Sequence, residues 1–255
     1  MIYAGLVSVT FRKLPPERIV ALVRQAGLRG IEWGGDIHVP HGELGRAREV
    51  GEITREAGLE VTAYGSYYRA ARSEDEGLPF QQVLATALEL GAPVVRVWAG
   101  TVGSAMADEE ARWRVAADLR RIAGLAAKAG VRVATEFHGG TLTDTNESTN
   151  QLLLEADHPN LFTYWQPLTG MTDEICLQAL GQLAPRLSHL HVFHWRTPQE
   201  RLALAEGAAR WKKFLAAARR APGDRGAMLE FVPDDEPENF LRDAATLLAW
   251  LRETD

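Results

Sequence analysis

A chain of 255 residues that is 46% hydrophobic can bury one large α/β core or two small ones. Its formal charge of -6 and pI near 5.7 argue against a surface built to neutralise nucleic-acid phosphates, so no nucleic-acid partner is expected. A single cysteine, Cys176, leaves no internal disulfide or CxxC motif; with no basic leader before IYAGLV and no apolar run of about 18 residues, a cytoplasmic, membrane-free protein is expected.

In chain order, β-rich runs are predicted at residues 2–9, 30–34, 60–65, 94–98, 131–137, 161–166, 188–193 and 227–232. Room for a helix lies between each pair. Several helices end at a recurrent joint, seen in QAGLRGIEW, EAGLEVTAY, ELGAPVVRVW and KAGVRVATEF. There Gly27, Gly58, Gly91 and Gly130 can turn left-handed and release the chain into a strand. From Glu110 to Ala129, Trp113, Ala116, Ala117, Leu119, Ala123 and Ala126 recur at helical spacing, which predicts a helix lying on a sheet. Alternating strands and helices imply right-handed crossovers and a parallel sheet. Eight such units predict an α/β protein that is a single (β/α)8 TIM barrel domain over residues 1–255. An open doubly wound sheet would carry a glycine-rich phosphate turn after its first strand, and SVTFRKLPPER contains no GxGxxG.

Four of the runs finish on side chains able to hold a divalent cation: Glu136 in VRVATEFHGG, Gln166 in LFTYWQP, His191 in LSHLHVFHW and Glu230 in GAMLEFV. Alternate side chains on a strand share a face, so Glu136 pairs with His138, Gln166 with Tyr164, His191 with His189 and Glu230 with Met228. A lone Glu at a strand end is most often a surface group. Two of them inside apolar runs, at equivalent strand positions, favour a shared ion, because burying either unpaired is costly. His191 lies in an HxH pattern, which favours a ligand over a hydrogen-bonded core histidine. Gln166 is a neutral amide that can equally satisfy backbone groups.

Histidines His38, His41, His138, His189, His191 and His194 all fall near predicted strand ends, as do Trp33, Trp98, Trp165 and Trp195. Aromatic faces at a barrel mouth suit the C–H surface of a sugar or polyol, and structural packing explains any one of them equally well. The tryptophans on helical patterns, Trp113, Trp211 and Trp250, are expected in the core. Arg96 shares parity with Trp98 and serves either to orient a substrate oxygen or to make an internal salt bridge. Arg196 and Arg201 follow the seventh run, where they could meet a phosphate.

These residues resemble the xylose-isomerase-like TIM barrels of the sugar-phosphate isomerase/epimerase superfamily, along essentially the whole chain. The segments carrying the resemblance are VRVATEFHGGTLTDT, HLHVF and MLEFV. It implies metal-ligand positions for Glu136, His191 and Glu230, a substrate-side or supporting position for His138, and a lead into the seventh helix for LAEGAARW. The family usually has Asp where this chain has Gln166, so the ligand set carries a charge of -2 and just balances a divalent ion. Ketose 3-epimerases carry Glu, His and Arg where this chain has Leu142, Thr169 and Thr197.

The expected activity is that of an isomerase or epimerase acting on a small sugar, sugar phosphate or polyol. It would use a divalent ion (Mn, Mg, Co or Zn) and an enediolate formed by proton abstraction next to a carbonyl. Glu136 and Glu230 are the catalytic candidates, and His138, His194, Trp98 and Arg196 the substrate-binding ones. Loss of a β-hydroxyl from the same intermediate would make the enzyme an inosose-type dehydratase, with His138 or His194 as the acid. A metal-dependent hydrolase of the endonuclease IV kind and a non-catalytic sugar-binding barrel are the remaining alternatives. Nothing in the sequence excludes a homo-oligomer.

Overall fold

The computed structural model describes residues 1–197 and 199–253. Seven strands come first: β1 (Ile2–Val7), β2 (Gly30–Gly34), β3 (Glu60–Arg69), β4 (Val94–Trp98), β5 (Arg132–Thr135), β6 (Leu161–Trp165) and β7 (Leu187–Val192). A short antiparallel hairpin, β8 (Trp195–Thr197) and β9 (Glu200–Arg201), intervenes before the last strand, β10 (Arg225–Leu229). All but the hairpin pair in parallel and close into a barrel of eight, in the order β1-β10-β7-β6-β5-β4-β3-β2. The expected α/β barrel is the observed fold.

Around it lie α1 (Pro16–Gln25), α2 (Leu44–Glu56), α3 (Phe80–Leu90), α4 (Glu109–Lys128), α5 (Asn146–Ala156), α6 (Asp173–Leu183), α7 (Ala208–Ala218) and α8 (Pro237–Glu253). Side-chain caps start three of them: Asp108, Thr145 and Thr172 each accept a hydrogen bond from the backbone N–H three residues on. At the predicted joints Gly27, Gly58, Gly91 and Gly130 have φ of +70°, +75°, +80° and +72°, as required for an abrupt exit from the helix.

Most of the core lies between strands and helices, where Trp165, Trp211 and Phe214 pack edge to face. One helix expectation needs correction. The buried face of α4 is Val115, Ala116, Leu119, Ile122, Ala123 and Ala126, and Trp113 is 70% exposed. The apolar stripe is one position out of phase with the tryptophan, which lies on the solvent side. Strand ends also differ from expectation. β5, β6 and β10 stop just before Glu136, Gln166 and Glu230, and β3 runs on to Arg69 through a register shift between Gly65 and Tyr68.

Candidate metal centre and active site

Glu136, Gln166 and Glu230 are each the first residue past a barrel strand, and His191 is the penultimate residue of β7. The ladder continues through two of them: Glu136 N donates to Val97 O (2.9 Å) and Glu230 N to Val192 O (3.1 Å). That pairing preserves the alternation of the strand, so the side chains converge on the barrel axis at its C-terminal mouth.

The other three groups surround His191 Nδ1. Gln166 Oε1 lies 2.7 Å from it, Glu230 Oε2 3.4 Å and Glu136 Oε1 3.7 Å. All four side chains are buried, and the ligand atoms of Glu136, His191 and Glu230 lie within 4.8 Å of one another. Ligands about 2.1 Å from a six-coordinate ion are about 3 Å apart along an octahedral edge, so one nitrogen and three oxygens at this spacing suit a divalent cation. Burial works against a charged His191 imidazole, yet Glu230, Glu32 and Glu136 together outweigh it and raise its proton affinity. The Glu230 carboxyl is also pushed up, by burial first; His191 opposes that shift and Glu136 adds to it.

Beneath this cluster lies an ion pair whose extent the sequence reading did not foresee. The Arg96 guanidinium, 1% exposed, bonds Glu32 Oε1 through Nε (2.6 Å) and Glu136 Oε2 through Nη1. Burial alone would raise the Glu32 carboxyl, but Arg96 and His191 hold it well below the usual range. Gly65 leaves space for the pair: a Cβ there would stand 2.7 Å from Arg96 Nη2 and 2.9 Å from Glu32 Oε1. Of the two roles open to Arg96, the structure shows the internal salt bridge.

Glu32 was missed outright, although it sits in the apolar run GIEWGG and the burial argument used for Glu136 and Glu230 applies to it equally. Its second oxygen, Oε2, has no hydrogen-bond partner among the described residues, nor has His191 Nε2, and the two are 3.7 Å apart. These orphans bear on whether an ion fits. In the present geometry Nδ1 faces the Gln166 carbonyl oxygen and carries the proton. An ion on Nδ1 would displace that proton to Nε2, directly opposite Glu32 Oε2. The donor set and the unpaired atoms are both consistent with a divalent cation at this point.

Two of the other candidates join the mouth. Trp98 Nε1 donates to Glu136 Oε2 (2.6 Å), and the Trp98 ring stacks on His138 with centroids 4.7 Å apart. His138 Nδ1 lies 2.7 Å from Gly139 O and donates to it. Tyr67, also unforeseen, holds a non-glycine φ of +54° in the β3 bulge. Its ring covers the Arg96 guanidinium at 5.3 Å and leans on Trp98 at 5.8 Å, while its hydroxyl accepts from Arg12 Nη2 (3.2 Å). Burial raises the Tyr67 phenol to about 12, so it stays neutral.

The other expected contacts lie elsewhere. His194 packs against Gly207, at the end of the turn Leu204–Gly207, and its proton affinity is lowered by burial and by Arg210. Arg196 is exposed on the hairpin and paired with Glu200, while Arg201 pairs with Asp235 at 2.6 Å. His189 is a layer below His191, where it accepts from Gly226 N (3.1 Å), and burial lowers its pKa to about 4. Trp33 and Trp165 do not face the mouth: Trp33 Nε1 donates to Thr54 of α2 and Trp165 packs on α7. Parity gives two faces, and these two indoles take the outer one.

A closed barrel with a buried carboxylate, imidazole and amide cluster at its C-terminal mouth defines a class of TIM barrel whose mouth could hold a metal ion. The chain belongs to the xylose isomerase-like TIM barrel family, whose model matches residues 20–254. A 3-dehydroshikimate dehydratase of Bacillus anthracis is 29% identical over 206 residues, 73% of this chain and 70% of that protein. The crystal structure of a probable 3-DHS dehydratase from B. anthracis, involved in petrobactin synthesis, superposes with a TM-score of 0.80. It is 23% identical and covers 96% of this chain and 98% of its own. A D-psicose 3-epimerase structure determined in the presence of D-fructose gives a TM-score of 0.74 at 14% identity, with 99% of each chain covered.

Proposed function

We propose that this protein is a divalent-metal-dependent enzyme that removes a proton beside the carbonyl of a small hydroxy-carbonyl compound and carries the intermediate on to loss of water. The carrying observation is the unequal setting of the two catalytic carboxylates. Glu136 Oε2 receives hydrogen bonds from both Arg96 and Trp98, whereas Glu230 meets no arginine or tryptophan donor among the described residues and is biased by burial toward holding a proton. Inversion of a carbon centre needs a proton carrier on each face, while dehydration needs one base and one acid at the leaving hydroxyl.

A divalent ion held by Glu136, Gln166, His191 and Glu230 would supply Lewis-acid polarisation of the substrate carbonyl. Glu230 takes the proton from the adjacent carbon, and the C–H electron pair moves toward the carbonyl. As the pair returns to form the carbon–carbon double bond, the β C–O bond breaks. His138 acts as the acid that gives a proton to the departing hydroxyl, and one water leaves. Arg96 and Trp98 fix the plane of Glu136, while the Trp98 and Tyr67 rings wall the mouth and limit access of bulk water. The 29% identity to a 3-dehydroshikimate dehydratase supports a ring hydroxy-ketone as substrate. Leu142, Thr169 and Thr197, which stand where ketose 3-epimerases carry Glu, His and Arg, support the same choice.

The test is Mn2+-loaded protein incubated in D2O with 3-dehydroshikimate and, separately, with D-fructose. The expected result is loss of 3-dehydroshikimate with growth of an ultraviolet-absorbing dehydrated product, and D-fructose recovered unlabelled. Deuterium entering the ketose with inversion and no dehydration of 3-dehydroshikimate would assign the epimerase reaction instead.

A further inference from the structure

Glu32 is wholly buried at the middle of β2, where the two reaction steps above give it nothing to do. An ionised carboxylate is costly in such a place unless both its oxygens are matched. Arg96 matches one, at 2.6 Å. The other faces the similarly unmatched Nε2 of His191 across 3.7 Å, too long for a hydrogen bond. The Tyr164 hydroxyl, also buried and without a hydrogen bond inside 3.5 Å among the described residues, has Glu32 as its charged neighbour, and its ring centroid, 5.1 Å from that of His191, limits sideways movement of the imidazole.

From this geometry we infer that Glu32 is the positioning residue of the metal centre: it accepts the Nε2–H of His191 and so presents Nδ1, deprotonated, to the cation. The inference rests on the metal-dependent reading given above. Because Arg96 binds Glu32 and Glu136 together, one guanidinium sets the spacing between the carboxylate behind the histidine and the carboxylate beside the ion. It also neutralises one of the two negative charges. The buried set Glu32, Glu136, Glu230 and Arg96 then carries -2, which a divalent ion cancels, and Gln166 adds no charge to that balance. His191 closes by a few tenths of an ångström when its proton moves to Nε2, and the two unmatched atoms satisfy each other.

The test is a double-mutant cycle on Mn2+ affinity, read by electron paramagnetic resonance of free and bound ion, using Glu32→Gln, His191→Ala and the double variant. Glu32→Gln keeps a side-chain oxygen for Arg96 and is checked for folding by its metal-free circular dichroism. Loss of an outer carboxylate partner typically weakens metal binding by about 10- to 100-fold, and that range is expected for Glu32→Gln in the wild-type background. In the His191→Ala background the same substitution should change affinity by less than about threefold, because no side-chain N–H remains at position 191 to be held. An equal loss in both backgrounds would mean that Glu32 acts only through its charge, and would overturn the inference. So would an affinity unchanged by Glu32→Gln in wild-type protein. A wild-type protein that binds no Mn2+ at all would overturn the metal-dependent reading together with it, which separates the two failures. A second readout is structural. In Mg2+-loaded wild-type protein the His191 Nε2 proton should give a slowly exchanging downfield resonance, and Glu32→Gln should remove it or shift it upfield. Its persistence unchanged in Glu32→Gln would also overturn the inference.

Discussion

Replacing Arg96 with methionine tests the electrostatic design of the barrel mouth directly. The guanidinium is 1% exposed and pairs two carboxylates whose side chains are 0% and 6% exposed, so neither acid can turn to water once it is gone. Breaking one partner out of a buried ion pair costs about 3–5 kcal/mol. The two pairs share one cation and are not additive, and His191, whose charged form these same acids already favour, compensates in part. The loss for Arg96→Met in metal-free protein is therefore set at about 3–5 kcal/mol, not twice that. For a chain of this length it should lower the melting temperature by roughly 6–20 °C. Differential scanning calorimetry in EDTA reads this, and Glu32→Gln on the Arg96→Met background should recover part of it by removing one stranded charge. Saturating Mn2+ should raise the melting temperature more in Arg96→Met than in wild type, because the variant mouth carries one more uncompensated negative charge. A loss under about 1 kcal/mol, or a double variant less stable than Arg96→Met, would refute the reasoning.

Other substitutions probe neighbouring parts of the argument. Gln166→Asp places a third ligand charge beside the ion and should tighten Mn2+ binding about tenfold or more in equilibrium dialysis; unchanged affinity would remove Gln166 from the ligand set. Asp243, 3% exposed on α8, accepts from Leu204 N (3.0 Å), and burial raises its pKa to about 6 despite that hydrogen bond. A folded pKa above the unfolded value of about 3.9 means the native state holds the proton more tightly. Stability from this group therefore falls as pH rises from about 4 to about 6 and is level above. Asp243→Asn keeps the acceptor oxygen, so its advantage over wild type in urea unfolding should grow across that window to at most about 3 kcal/mol. An advantage independent of pH would contradict the burial account. Gly51 on α2 approaches α3 so closely that a Cβ would lie 2.4 Å from Leu90 O. Gly51→Ala should therefore cost about 1–3 kcal/mol by forcing the two helices apart, measurable as a lower urea midpoint.

Much of this site was legible before any coordinates. Glu136, Gln166, His191 and Glu230 each close an apolar run, and alternation along a strand places such residues on one face with their neighbours two back. The barrel itself followed from eight repeats of strand, helix and glycine joint, signals that act within about 30 residues. What alternation does not say is which of its two faces turns inward. Strand-end position alone groups Trp33 and Trp165 with the mouth, yet they lie against α2 and α7, and helical spacing alone puts Trp113 in the core, yet it is in solvent. His194 and Arg196 were placed by their nearness in sequence to His191, but the strand ends at Val192 and the chain beyond it turns away into the hairpin.

Local periodicity and capping are enough to specify an α/β barrel with oxygen and nitrogen donors at the ends of its strands. How those donors are used depends on contacts between distant strands. Arg96 meets Glu32 across 64 residues and Glu136 across 40, and Glu32 faces His191 from the opposite side of the barrel. Such pairings exist only once β2, β4, β5 and β7 have closed around a common axis. It is closure that excludes water, and without that exclusion a glutamate facing a histidine would be an ordinary pair of solvated groups.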